Sequence, residues 1–316
     1  MTINSLDFHH RAPVSGQFRV RRPTRKVATN GAHYLSFTIE DSTGELRAVS
    51  WDVNIAAGID FKEFDCITLT GRLRTFNGNW LVDVDSAELL QEEPENPVHL
   101  IPRSMAPVPV LLAELENLYD CISHHPLKRF AGWVLTDATI SFPFVSLPAS
   151  RHHHHNTAGG LLDHSLECAS MVSRFYEFPE TEIQVAMVAA LLHDIGKIRT
   201  IQCVGKPTAS GYVLDHDALT LEILAPHLQR LDFICPDAGM ALRYLWTWRS
   251  QRKSCHPLLT IAEAISAADH ISSGLDRQRS AFENCPEWQS FAKLGERSNY
   301  WRPRLELARG HGKQQN

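Results

Sequence analysis

The sequence predicts a multidomain chain: a small closed β-barrel followed by an all-α helical bundle. Residues 17 to 90 alternate apolar and polar positions in short runs broken by turns, the period of half-buried strands. Beyond residue 111 the apolar spacing changes to the period of helices. Between these regions stand Pro94, Pro97, Pro102, Pro107 and Pro109, a density that breaks helices and reads as a connector.

The strands follow in order. Tyr34 to Glu40 places Leu35, Phe37 and Ile39 on one face, Asp41-Ser42-Thr43-Gly44 is a turn, and Glu45 to Trp51 is the returning strand. Cys66 to Arg74 alternates again, Phe76-Asn77-Gly78-Asn79 supplies a hairpin turn, and Trp80 to Val84 completes the pair. About five strands in some 75 residues, with Gly71 allowing a sharp bend inside the fourth, fit an OB-fold barrel. Helices are expected on the stripe Leu111, Leu112, Leu115, Leu118 and Tyr119, and near 161–177, 181–194, 216–230, 236–249 and 257–273. The expected division is an N-terminal extension over 1–16, the barrel over 17–92, a Pro-rich linker over 93–110, the bundle over 111–280 and a C-terminal extension over 281–316.

Composition narrows the function. A net charge of −5 argues against wholesale coating of a polyanion, but leaves room for a local basic patch. The strand region interleaves cations and rings: Arg19, Arg21 and Arg22 lead into Arg25, Lys26, Tyr34, Arg47, Trp51, Arg72, Arg74 and Trp80. Cations follow phosphates and rings stack bases, so the last eight are expected to bind single-stranded nucleic acid; the alternative is a solvated strand face with Trp51 or Trp80 in the core. No stretch reaches membrane-span length and the start lacks signal-peptide character, so a cytoplasmic protein is expected. The 7 cysteines form no CxxC pair and suggest neither a disulfide framework nor a zinc ribbon. Histidine is the unusual residue, with 17 in the chain and an unbroken run from His152 to His155.

The chemistry gathers in the helical half. Ala189-Ala190-Leu191-Leu192 runs into His193-Asp194-Ile195-Gly196-Lys197, which puts an imidazole and a carboxylate at the end of a core helix. Such groups are costly to bury without a partner, and a metal is one both can share; the alternative is a plain helix stop. His164 sits beside the stripe Leu162, Leu166, Ala169 and Val172, His216 precedes another apolar helix, and Asp269 ends the run Ile261 to Ala268. Ligands drawn from separate helices are how bundles build metal sites, and a mixed nitrogen and oxygen set without thiolate points to a catalytic ion. Lys197 then has two readings, a phosphate ligand or a charge favoured by the helix dipole.

The ordered set His164, His193-Asp194 and Asp269 resembles the signature of the HD metal-dependent phosphohydrolase superfamily. Tyr34 to Gly44, Leu100-Ile101-Pro102, and His154-His155 before Gly160-Leu161-Leu162-Asp163-His164 extend the resemblance to YhaM-type 3′→5′ exoribonucleases, which place an OB-fold before an HD domain. The helical half is also similar to the TraI-like domain of MobH relaxases. The resemblance implies a 3′→5′ exonuclease on single-stranded RNA or DNA that uses one or two divalent ions, manganese first, with iron, cobalt, nickel or magnesium as alternatives. It implies that His164, His193, Asp194 and Asp269 hold the first ion and His216 extends the site to a second. His154, His155 and Lys197 would contact the scissile phosphate or protonate the leaving oxygen. The other readings are an HD nucleotidase or cyclic-dinucleotide phosphodiesterase, and a relaxase-like accessory protein that binds rather than cuts; a homo-oligomer is left open. One departure stands out: Trp246-Thr247-Trp248-Arg249 occupies the place where many such enzymes carry a His-His pair, with His256 as a substitute ligand.

Overall fold

The computed structural model describes residues 1–52, 60–150, 155–202, 205–248, 258–295 and 298–304. His154 and His256 lie outside the described residues. The N-terminal half is a closed barrel of β1 (Pro13–Val27), β2 (His33–Glu40), β3 (Glu45–Ser50), β4 (Cys66–Phe76) and β5 (Asn79–Leu89), in the order β1-β2-β3-β5-β4. All neighbours are antiparallel except β3 and β5. Closure depends on the 15-residue β1, which pairs with β4 through Pro13–Arg19 and with β2 through Arg19–Val27. It turns at a bulge between Arg21 and Thr24. Alternation is as expected: Phe18, Val20, Leu35, Phe37, Ile39, Ile67, Leu69 and Val82 fill the interior. The fourth strand shifts register between Thr70 and Gly71.

Residues 1–16 are not a free extension. Ile3, Leu6, Ala12 and Val14 are buried in the barrel core, and Ile3 N donates to Asp41 Oδ2 at 2.6 Å. The Pro-rich segment is equally packed, with Val98, Leu100 and Ile101 fully buried. The prolines there preclude neither burial nor the short 3₁₀ helices at Pro97–Leu100 and Arg103–Met105.

The helical half contains α1 (Val110–Asp120), α2 (His125–Thr136), α3 (Ala138–Ser146), α4 (Gly160–Val172), α5 (Glu180–Leu192), the short α6 (Lys197–Thr200) and α7 (Ser210–Val213), α8 (His216–Ile234), α9 (Pro236–Thr247) and α10 (Ile261–Phe282). A hairpin of β6 (Phe291–Leu294) and β7 (Ser298–Trp301) follows, with Ala292 and Tyr300 packed on Ala281 and Phe282. Helix α5 is the centre of the bundle, buried from Gln184 to Leu192. Among the described residues no helix is long and apolar enough to cross a membrane.

The barrel meets the bundle at Arg19, which strand alternation assigns to the solvent face but which is 4% exposed. Its guanidinium donates to the carbonyls of Leu100 at 2.8 Å, Phe64 at 2.9 Å and Thr136 at 2.5 Å. The same cation lies over Phe142, whose ring meets Phe64 edge-on. Arg21 bonds Glu40 and Glu63 within the barrel and donates to Ser104 Oγ of the proline segment at 2.9 Å.

Candidate metal centre

Each candidate ligand is placed by a local constraint. Helix α5 ends where side-chain donors take its last carbonyls: Trp246 Nε1 donates to Ala189 O at 2.9 Å and His193 Nδ1 to Ala190 O at 2.7 Å. The turn Asp194–Gly196 then passes against the start of α8. A Cβ at Gly196 would lie 1.9 Å from the His216 carbonyl oxygen, so only glycine allows this approach. Thr220 Oγ1 ties the turn down, accepting from Gly196 N at 3.0 Å and facing the carbonyls of His193 and His216. Upstream, a Cβ at Gly160 would lie 2.1 Å from the His155 carbonyl oxygen, which is how His155 is tucked beneath the start of α4.

These constraints bring His164, His193, Asp194, His216 and Asp269 together. His164 Nε2 lies 3.4 Å from Asp194 Oδ2 and 3.3 Å from Asp269 Oδ1. His193 Nε2 is 3.4 Å from Asp194 Oδ2, and His216 Nε2 is 3.2 Å from Asp194 Oδ1. Lys197 Nζ also reaches Asp194 Oδ2, at 2.5 Å. Asp194 is 3% exposed. Burial works to raise its carboxyl, but His193, Lys197, His216 and His164 hold it well below the usual carboxylate range.

The donor set fits a divalent cation. His193 gives its proton-bearing Nδ1 to a carbonyl, so its buried Nε2 is a lone pair, and that atom has no hydrogen-bond partner. Burial also lowers the His193 ring, favouring the neutral imidazole. A neutral imidazole lone pair facing a carboxylate at 3.4 Å is unfavourable until a cation lies between them.

Cys168, Asp215 and Asp217 were not singled out in the sequence. Cys168 Sγ lies 3.8 Å from His164 Nε2, and His164, Cys168 and His193 form one group of nearby potential ligands. Burial, with Asp269 and Asp194 nearby, pushes this thiol up, so it packs against the ring as a neutral thiol. Asp215, His216 and Asp217 form a second, more exposed group. Trp246 and Trp248 line a small cleft with His193, Asp217, Leu245, Ile265 and Ser266.

His155 departs from the expected contact with a phosphate. It is 4% exposed and lies behind His164, with ring centroids 5.3 Å apart. Its Nδ1 lies 3.1 Å from Asp163 Oδ2 and its Nε2 3.2 Å from Ser272 Oγ. Burial lowers its affinity for a proton, but Asp163 and Glu167 outweigh this and raise the ring to about 9. Its ring is thus enclosed by the carboxylates of Asp163 and Glu167 and the hydroxyl of Ser272, behind His164.

The barrel divides its candidate residues. Tyr34 stacks on the exposed Trp51 with centroids 4.6 Å apart. Lys26 pairs with Tyr34, and Arg47 pairs with Leu81, which pairs with Arg74, so these side chains share the outer face. Arg72 lies along the same face, and Arg72 and Arg74 are partnered at 3.8 Å by Asp85 and Asp83. Arg25 pairs with Leu35 on the opposite side and lies 3.7 Å from Asp60. Trp80 is partly buried, packed on the barrel core beside Phe8.

A helical bundle that converges imidazoles and carboxylates from three of its helices and the turn that ends α5, with an orphaned ligand nitrogen, defines the class of bundle-borne metal centres. Residues 161–274 match the family model described as the HD domain, so the helical half carries an HD domain. Over 290 residues the chain is 22% identical to the 3′-5′ exoribonuclease YhaM of Shouchella clausii, covering 87% of this chain and 88% of that protein. The namesake from Halalkalibacterium halodurans is 22% identical over 300 residues, covering 90% and 92%. Among solved structures, the second OB-fold domain of replication protein A from Methanococcus maripaludis aligns with 30% of this chain and 98% of its own, at 16% identity and a TM-score of 0.23.

Proposed function

We propose that this protein is a divalent-metal-dependent 3′→5′ exonuclease acting on single-stranded RNA or DNA in the cytoplasm, with manganese as the working ion. The observation that carries the reading is the alignment with exoribonucleases over about nine tenths of both chains, which takes in barrel and bundle together. The barrel, 17–92, serves as the binding module and the bundle, 111–280, as the hydrolase.

His164, His193, Asp194 and Asp269 hold the ion, and His216 extends the set. When bound, the ion polarises a phosphoryl oxygen and lowers the pKa of water. Lys197, already against Asp194, neutralises a phosphate oxygen on the open side of the cluster. Trp248, partly buried in the cleft beside His193, offers the terminal base an apolar wall that restricts water. Tyr34 and Trp51 stack bases further along the strand, while Lys26, Arg47 and Arg74 follow its phosphates. Tethering both activities in one chain raises the local concentration of strand ends at the cluster.

The test uses 5′-labelled single-stranded RNA and DNA with Mn²⁺, comparing wild type with His193→Ala/Asp194→Ala. A ladder shortening from the 3′ end, absent in the double variant, is expected. Identical digestion by the variant would discard the site, and equal rates on mononucleotides and long strands would replace the exonuclease with a nucleotidase.

A further inference from the structure

His164 has two nitrogens, and which one carries the proton decides whether it can serve as a ligand. Its Nε2 faces the carboxylates of Asp194 and Asp269 at 3.4 and 3.3 Å. Its Nδ1 faces a different group, the hydroxyl of Ser272 at 2.9 Å. Ser272 lies on α10 beyond Asp269 and is fully buried.

The direction of the hydrogen bonds through Ser272 follows from its neighbours. Arg279 Nη1 donates to Glu167 Oε1 at 2.7 Å, and a guanidinium is never an acceptor. Burial works to raise the Glu167 carboxyl, but His155, Ser272 and Arg279 bring it down to about 2, so it is an ionised acceptor, and Ser272 Oγ gives its single proton to Glu167 Oε2 at 2.7 Å. With that proton spent, the remaining contacts at Oγ must be donated by the imidazoles: Nδ1–H of His164, and Nε2–H of His155 at 3.2 Å. His155 is held for this task by Asp163 at Nδ1, and its main-chain N–H donates to Asp276 Oδ2 at 3.0 Å.

We infer that Ser272, oriented by Glu167, is a positioning residue of the metal centre that locks His164 as the Nδ1–H tautomer, so that its Nε2 lone pair is presented to a divalent cation beside Asp194 and Asp269. Outer partners of this kind fix ring orientation as well as tautomer, and their loss typically lowers metal affinity by about 10–100-fold. The inference rests on the metal-centre reading and is independent of the substrate.

The experiment uses the full chain. Long-range ¹H–¹⁵N spectra of the ¹⁵N-histidine-labelled, metal-free protein report the tautomer of His164, assigned by the signal missing in His164→Gln. Mn²⁺ affinity is measured by calorimetry in competition with a chelator, on wild type, Ser272→Ala and Ser272→Thr. An Nδ1–H signal in wild type, a fall of about 10–100-fold in Mn²⁺ affinity for S272A, and retained affinity for S272T are expected. An Nε2–H signal in wild type, or wild-type affinity in folded S272A, would overturn the inference; the wild-type spectrum decides if S272A does not fold. A chain that shows this tautomer and affinity pattern but digests no single strand would sustain the inference and refute the exonuclease.

Discussion

Alanine at Gly196 tests whether the contact between the Asp194 turn and α8 sets the geometry of the metal centre. The added Cβ would stand 1.9 Å from the carbonyl oxygen of His216 and 2.9 Å from the nitrogen of Thr220, both rigid backbone. Ordinary contacts need about 3.5 Å, so the start of α8 must retreat by roughly 1.5 Å. His216 Nε2 begins 3.2 Å from Asp194 Oδ1, and the same retreat carries it out of reach of an ion shared with that carboxylate. Misplacement of about 1 Å costs on the order of 100-fold in rate, and overpacking costs about 1–3 kcal/mol in stability. The assay is kcat on labelled single-stranded RNA beside a thermal melt. A fall of about 100-fold in kcat with a Tm only several degrees lower is expected. Wild-type turnover in a folded G196A protein would refute the argument, because His216 would then be dispensable or the contact soft.

Arg19→Met removes three donors and leaves the carbonyls of Leu100, Phe64 and Thr136 unsatisfied; a loss of about 3 kcal/mol or more in urea unfolding is expected, and a loss under about 1 kcal/mol would contradict the buried joint. Asp137, bonded to His227 at 3.2 Å, is held down to about 2, so its contribution is present above its ordinary value and disappears as pH falls from about 4 to 2. Discounted for its one-third exposure, this amounts to about 1 kcal/mol, read as the difference in acid unfolding between wild type and Asp137→Asn; superimposable curves would dismiss it. Trp51→Ala should raise KM for long strands by about tenfold while leaving dinucleotide cleavage unchanged, since one stacked base is worth about 1–3 kcal/mol. An unchanged KM would move the strand path off the face shared by Tyr34 and Trp51.

The barrel was legible because its interior obeys a strict period of two, and Leu35, Phe37 and Ile39 lie where alternation puts them. Alternation also explains the error at Arg19: it tells which side chains leave the barrel interior, but not whether a second domain waits outside. Helices α2 and α3 were not among those expected, and in α2 every position from Phe130 to Leu135 is buried. A helix buried all round has no stripe to detect. The cluster of His164, His193, Asp194 and Asp269 was legible as chemistry out of place in apolar helices, and the structure gathers those residues. The support behind His164 was not, because Glu167 and Ser272 meet 105 residues apart, and neither residue type is unusual on a helix. The run from His152 to His155 drew attention to itself by composition alone. Within it the side chain of His155 turns inward, because the Gly159-Gly160 entry brings its backbone under α4.

The joint at Arg19 bears on how such a chain can be rearranged. Its guanidinium is shared by backbone from the barrel, the proline segment and α2, so no single cut separates a self-sufficient barrel from a self-sufficient bundle. A chimera carrying another OB-fold would inherit two bare carbonyls, those of Leu100 and Thr136, and an uncovered Phe142 unless the donor barrel supplied an arginine and an aromatic ring at the same places. Substrate preference in this architecture is therefore more readily altered by substitutions on the outer strand face than by exchange of the whole module.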